Sequence, residues 1–256
     1  MMKFCVLGSG SSGNMTYIEA GNTKLVVDCG ISLLDACKRA PHLDIKNVNA
    51  ILITHEHNDH VKFLPTFAKK TKATIYINKK SFEALKPEIK DGLVGLKIAF
   101  IEGDSCYKIG DVDVCTCVML HDSVNNYGYI IRYQDKQIGL FTDTGIFPTR
   151  YKHLLSNLDA FLIEANHNIE LLQNCDRPYY VINRTLSTTG HISNKVCCDL
   201  LKEVLTEKVK YVILGHISKD CNNIDCINEE ILDNFKNSST KFIIAKRDTA
   251  TEEVVL

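Results

Sequence analysis

The sequence predicts an α/β fold, a four-layer αββα sandwich. Three observations carry that expectation. Short β-rich segments alternate with helical ones through both halves of the chain, and residues 97–141 form a run of strands joined by short turns. No Pro/Gly linker, charge block or repeat divides the 256 residues. Strands and helices interspersed in both halves, around an antiparallel-rich middle, are satisfied by two sheets packed face to face with helices outside. This length lies within the range of one α/β domain, so a single domain over 1–256 is expected.

Taken in order, residues 4–7, 15–19, 24–28, 50–53 and 73–77 read as strands, with 61–70 and 81–85 helical. The middle supplies strands at 97–101, 112–118, 127–133 and 137–141. A helix at 148–156, strand 159–163, helix 166–173, strand 178–183 and helix 193–206 follow. Strand 210–214, helix 225–235 and strands at 241–245 and 252–255 complete the pattern.

The 45% hydrophobic and 24% charged content is that of a folded globular chain and argues against disorder. A net charge of −1 provides no global field to attract nucleic acid, so an anionic substrate has to be held locally. The apolar run in Met1–Leu7 is too short for a signal segment, and nothing approaches a membrane span. Eleven cysteines, an odd number without a C-x-x-C, read as free thiols of a cytoplasmic protein rather than a disulfide scaffold. Nothing in the sequence specifies an oligomer.

Gly8-Ser9-Gly10-Ser11-Ser12-Gly13 fits G-x-G-x-x-G, and Asp28 lies 20 residues beyond Gly8. A dinucleotide site needs a helix to start at the third glycine. Here Met15–Glu19, the turn at Gly21-Asn22 and Leu25–Val27 make a hairpin, so the nucleotide reading fails. Two uses of the loop remain. Its glycines let the chain turn tightly, or its amides and Ser9, Ser11, Ser12 and Asn14 form an anion-binding nest. Asp28, ending its strand before Gly30, is a turn cap or, the reading favoured here, an anchor of the histidine loop through a hydrogen bond.

Thr54-His55-Glu56-His57-Asn58-Asp59-His60 follows the apolar strand 50–53 and packs four nitrogen or carboxylate ligands into six positions. At a strand end alternate side chains share one side, so His55 and His57 suit one ion. Asp59 and His60, past the turn, suit a second. The spacing is unlike the helical H-E-x-x-H of zinc proteases. More ligands are needed, and His121, Asp143 and His216 each follow an apolar strand. Singly each is an ordinary turn residue; with the histidine loop they make a set.

That ordered set, Asp28, the H-x-H-x-D-H run at 55–60, His121, Asp143 and His216, resembles the motifs of the metallo-β-lactamase superfamily over nearly the whole chain. Gly8–Asn14, Thr142-Asp143-Thr144-Gly145, Glu164-Ala165-Asn166-His167, Gly190-His191-Ile192-Ser193-Asn194 and Gly215-His216-Ile217-Ser218-Lys219 further resemble its YycJ/WalJ-like exonuclease group. Asn168, where an acid is expected, and Cys221, where another asparagine is expected, depart from that pattern. The resemblance implies the metallo-β-lactamase fold and 5′-to-3′ exonuclease activity on DNA, single-stranded or at 5′ ends. It also implies one ion on His55, His57 and His121, a second on Asp59, His60 and His216, and Asp143 bridging.

Such nitrogen and oxygen ligands accept Zn²⁺, Mn²⁺ or Fe²⁺. Two divalent ions leave the centre net positive over Asp59 and Asp143, which suits a phosphodiester. Asp59 is expected to help orient the nucleophile, and His191, just before a helix capped by Ser193, to contact phosphate or protonate the leaving group. The competing readings are a glyoxalase II-like thioesterase or lactonase using the same metals, and a metal-stabilised binding module without chemistry. Between Asp143 and His216 lie too few residues for an inserted RNA-clamping domain.

Overall fold

The computed structural model describes residues 1–256. Its strands are β1 (Met2–Gly8), β2 (Met15–Ala20), β3 (Thr23–Val27), β4 (Ala50–Leu52), β5 (Thr74–Ile77), β6 (Ile98–Phe100) and β7 (Cys106–Ile109). They continue with β8 (Val112–Met119), β9 (Asn126–Tyr133), β10 (Lys136–Phe141), β11 (Ala160–Glu164), β12 (Tyr211–Gly215), β13 (Lys241–Ile244) and β14 (Val254–Val255). The helices are α1 (Leu33–Arg39), α2 (Asn58–Val61), α3 (Leu64–Thr71), α4 (Lys79–Ala84) and α5 (Pro87–Gly92). After them come α6 (Lys152–Leu155), α7 (Ile169–Gln173), α8 (Tyr179–Leu186), α9 (Asn194–Val204) and α10 (Ile224–Glu230). The strands form two mixed seven-stranded sheets. No helix is long and apolar enough to cross a membrane.

The chain divides into two compact units, Met1–Val118 with Ser123–Lys136 and Ala245–Leu256, and Met119–Asp122 with Gln137–Ile244. In the first unit one sheet runs β14-β1-β2-β3-β4-β5-β6. β1 to β3 are an antiparallel meander with Phe4 opposite Ile18 and Ile18 opposite Leu25, and β3 to β6 are parallel. β4 is buried at every position, as a central parallel strand covered on both faces requires. α3 follows from Leu64, Phe67 and Ala68, buried at helical spacing, with a proline in its first turn. In register Val27 faces Leu52, so β3 and β4 end at one edge and deliver Asp28 and Thr54–His60 there.

In the second unit β10 to β13 are parallel neighbours. Phe141 faces Ile163 and Ile163 faces Leu214. Asp143, Glu164 and His216 therefore emerge at one edge, within two residues of those partners. α9 packs Cys197, Leu200, Leu201 and Val204 inward, and the Ser193 hydroxyl accepts a hydrogen bond from Val196 N, the expected N-cap.

Beyond α5 and β7, which the sequence reading lacks, three features depart from it. The strand expected at 178–183 is α8. Its aromatic and β-branched run suggested a strand, but Ile182 and Thr185 are the buried positions, a spacing of three that belongs to a helix. α1, with seven residues, is too short to show a clear period, although Ser32 caps it by accepting from Asp35 N. The cysteines are not all free thiols: Cys106 and Cys115 stand directly opposite in the β7–β8 hairpin and form a disulfide, leaving nine thiols.

Candidate metal centre

The histidine loop of the first unit is set by backbone bonds before its side chains matter. Tyr127 N donates to Thr54 O, and the Tyr129 hydroxyl donates to Ile53 O at 2.5 Å, fixing the end of β4. His57 then starts the single turn α2, with His60 N bonded to His57 O. Cys29 N donates to His60 O and Asn14 N to Asp59 O. The approach is so close that a Cβ on Gly30 would lie 1.7 Å from Asp59 O, so only glycine fits.

Side chains gather around this frame. Asp28, at φ 64°, accepts from Thr54 N at 2.9 Å, from the Thr54 hydroxyl, and from His60 Nδ1 at 2.7 Å. Burial raises the Asp28 pKa, against the His60 and Thr54 bonds that lower it. The Thr54 hydroxyl, donating to Asp28, is left to accept from His55 Nδ1 at 3.0 Å. The His55 ring lies 4.6 Å from that of His57 and 4.1 Å from that of His60. Asn14 donates to Asp59 Oδ2 at 3.1 Å, and its Nδ2 lies 3.0 Å from His60 Nε2.

Through Asn14 the Gly8–Asn14 loop braces the histidine loop. Its amides at Ser9, Gly10 and Gly13 are bonded to Lys246 O, Asn14 Oδ1 and Gly10 O. Ser9 is buried, and Ser11 and Ser12 stand exposed. Of the residues expected to form a nest, Ser11 and Ser12 are the two that reach solvent.

In the second unit one carboxylate organises the cluster. Glu164, fully buried, has Oε1 2.7 Å from both His191 Nδ1 and His216 Nδ1, while its Oε2 accepts from Thr144 N at 3.1 Å. Burial works against its charge, yet the two histidines hold its pKa far below the ordinary value. Burial also opposes the charged form of His191, but Glu164 outweighs it and raises that pKa. Asp143 Oδ1 lies 3.2 Å from His216 Nε2. His121 Nδ1 donates to Gly190 O at 3.2 Å, and its ring is 5.1 Å from that of His191.

Asp143 and His216 adopt left-handed backbone, φ 58° and 52°. Non-glycine residues take that conformation where surrounding bonds enforce it, often at functional sites. Of the second-unit ligand atoms, those of Asp143, Glu164, His191 and His216 all lie within 4.8 Å of one another.

His60, His121 and His216 each give Nδ1 to an oxygen of their own unit, and His55 does so through Thr54. This leaves Nε2 as the ring's lone-pair donor, the arrangement that metal-ligating histidines adopt. Histidine and aspartate donors without cysteine suit Zn²⁺, Mn²⁺ or Fe²⁺. The residues of each unit therefore fit a divalent cation.

A model described as metallo-beta-lactamase superfamily matches residues 8–149, more than half of the chain. The chain belongs to the metallo-β-lactamase superfamily. Among curated proteins this superfamily hydrolase is 34% identical over 223 residues to "Exodeoxyribonuclease YycJ" of Bacillus anthracis, covering 86% of this chain and 84% of that one. It is 36% identical over 229 residues to "Exodeoxyribonuclease WalJ" of Streptococcus pneumoniae serotype 2 (strain D39), covering 87% and 83%. Among solved structures, the metallo-beta-lactamase fold protein YhfI from Bacillus subtilis aligns with a TM-score of 0.71 at 19% identity, covering 98% and 99%. Such a likeness establishes the metallo-β-lactamase αββα fold.

The Glu164-Ala165-Asn166-His167 motif closes β11. Glu164 and Asn166 both hold His216, the latter by donating Nδ2 to His216 O at 2.7 Å. His167 does not: burial pushes its pKa down to about 4, and its Nδ1 lies 3.4 Å from Asn166 Oδ1. The two departures from the exonuclease pattern are accommodated. Asn168 accepts from Leu171 N as the cap of α7 and donates to Glu230 Oε1 at 3.0 Å, where an acid would set two carboxylates together. Cys221 packs with Leu172 and Ile182, and Asn222 beside it donates to Ala165 O and Asn166 O.

Proposed function

We propose that the two units act as one catalytic domain holding two divalent ions, and that the chain is a 5′-to-3′ exodeoxyribonuclease. In this reading His55, His57 and His121 hold one ion, Asp59, His60 and His216 the other, and Asp143 bridges. When bound, the ions supply Lewis acidity for the phosphate and lower the pKa of an attacking water. The chain's own residues do the rest. Asp28 and Thr54 hold the ligand histidines in one tautomer, Asn14 steadies Asp59, and Asp59 orients the nucleophile. A substrate of DNA agrees with a cytoplasmic location.

The observation that carries the reading is the pair of 2.7 Å contacts from Glu164 Oε1 to His191 and to His216. One carboxylate thereby ties a proposed ligand to a histidine outside the proposed ligand set and favours the protonated form of that histidine. A phosphodiester releases a sugar alkoxide, which needs a proton as it leaves. A thioester releases a thiolate, whose thiol has a pKa of about 8.5, and needs none. His191 is therefore assigned as the proton donor, and the two relatives named exodeoxyribonucleases agree with that chemistry.

The test loads purified protein with Mn²⁺, Zn²⁺ or Fe²⁺ and offers single-stranded DNA labelled at either end beside a thioester. Label is expected to leave the 5′ end first, with slow thioester turnover. His191→Ala is expected to slow cleavage roughly 10²–10⁴-fold with the metal content kept. Intact DNA with all three metals, together with rapid thioester hydrolysis, would return the site to the glyoxalase II-like reading.

A further inference from the structure

At the start of α8 Tyr179 and Tyr180 are 78% and 73% exposed, and Leu186 is exposed at its end. Single exposed apolar residues are ordinary, but a contiguous group on one surface marks a binding face. The C-terminal end of the same helix is joined to the candidate site within the second unit. His191 N donates to Thr185 O, in the last turn of α8, and the neighbouring Gly190 O accepts from His121. A Cβ on Gly145 would lie 2.4 Å from Ser187 O, so the loop after Asp143 is pressed against the residues that follow α8. That contact brings in two more exposed apolar side chains, Ile146 beside Gly145 and Leu120, whose carbonyl accepts from Gly145 N. Arg184, one turn after Tyr180, pairs with Asp122 next to His121, fixing the helix to the same strand end.

We infer that this face is a stacking platform for the bases of the single DNA strand whose end is being cut, with Tyr179 and Tyr180 as the stacking rings. The inference rests on the exonuclease reading and names how that site takes its substrate. Thr185, whose carbonyl accepts from His191 N, lies five positions beyond Tyr180, roughly 7.5 Å along the helix axis. Tyrosine rings accept any base, since every base has a π-face, and such stacking tolerates sequence. With a net charge of −1 the protein lacks a long-range electrostatic hold on a phosphate chain, so base stacking adds to the local hold of the site on the scissile phosphate. Duplex ends, whose bases stack on one another, are held less well than single strands.

The experiment compares wild type with the Tyr179→Ala/Tyr180→Ala double variant, in the Mn²⁺-loaded full chain, on single strands with normal or abasic nucleotides near the cleaved end. Loss of both rings is expected to raise KM roughly 10- to 100-fold with a smaller change in kcat. Abasic nucleotides are expected to raise the wild-type KM by a similar factor and that of the variant no further. The ratio of oligonucleotide to bis(4-nitrophenyl) phosphate turnover is expected to fall as KM rises, and Tyr179→Phe/Tyr180→Phe to restore it. An active wild type with an unaltered KM in the variant overturns the platform alone. A variant that loses self-association in sedimentation while keeping its KM gives the face to a second copy and likewise overturns it. A wild type that leaves DNA intact overturns the exonuclease reading and this one with it.

Discussion

Asp143→Ala is expected to lower DNA hydrolysis by at least about 10³-fold, roughly 4 kcal/mol of lost barrier reduction, and to weaken both metal sites. Asp143 is buried, sits in left-handed backbone after β10, and holds Oδ1 3.2 Å from His216 Nε2. The residue is proposed to bridge, so its loss removes a ligand from each ion at once. A turn aspartate would change stability alone. Stopped turnover measured together with metal content separates the two, and retained hydrolysis with two ions bound would remove the bridge from the account.

Glu164→Ala is expected to act on folding as well as on chemistry. It strips the acceptor from buried His216, from half-buried His191 and from Thr144 N, and breaking a buried charged network of this kind costs about 3–5 kcal/mol. Loss of the support under His216 is expected to weaken metal binding about 10- to 100-fold. Glu164→Gln keeps the volume and one acceptor oxygen, so it is expected to fold better than alanine while still impairing hydrolysis.

The pH dependence follows from the sign of the shift. Glu164 is held below its ordinary value of 4.5, so its contribution is present above that pH and is lost as pH falls through the folded-state value. In metal-free protein the stability gap between wild type and Glu164→Gln should narrow on acidification below about 4.5. Denaturant unfolding across that range measures it, and a gap that widens toward acid contradicts the assignment.

Much of the fold was readable because the strands that carry the site are apolar runs closed by one polar residue. Ile138–Thr142 before Asp143 and Val212–Gly215 before His216 announce both the strand and the side chain at its end. The histidine loop was readable for the same reason. Tyr179–Leu186 was not, since tyrosine, valine and isoleucine favour strands locally, and only packing at Ile182 and Thr185 decides for a helix.

The Cys106–Cys115 disulfide depends on the register of a hairpin, which spacing alone does not specify. Glu164 was visible as an acid ending a strand. Its hold on two histidines 27 and 52 residues away exists only once parallel strands bring their ends to one edge. The left-handed backbone at Asp28, Asp143 and His216 likewise has no mark in the sequence.

The central claim is that catalysis requires two ions held by His55, His57, His121, Asp59, His60, His216 and Asp143. Its most direct test strips the full chain with a chelator and titrates Mn²⁺ back, recording bound metal by elemental analysis and release of 5′-terminal label from a single-stranded DNA in the same samples. The account predicts no cleavage in the stripped protein, saturation at two ions per chain, and activity that rises with the second ion. Undiminished cleavage by metal-free protein, or full activity with one ion bound, would contradict it.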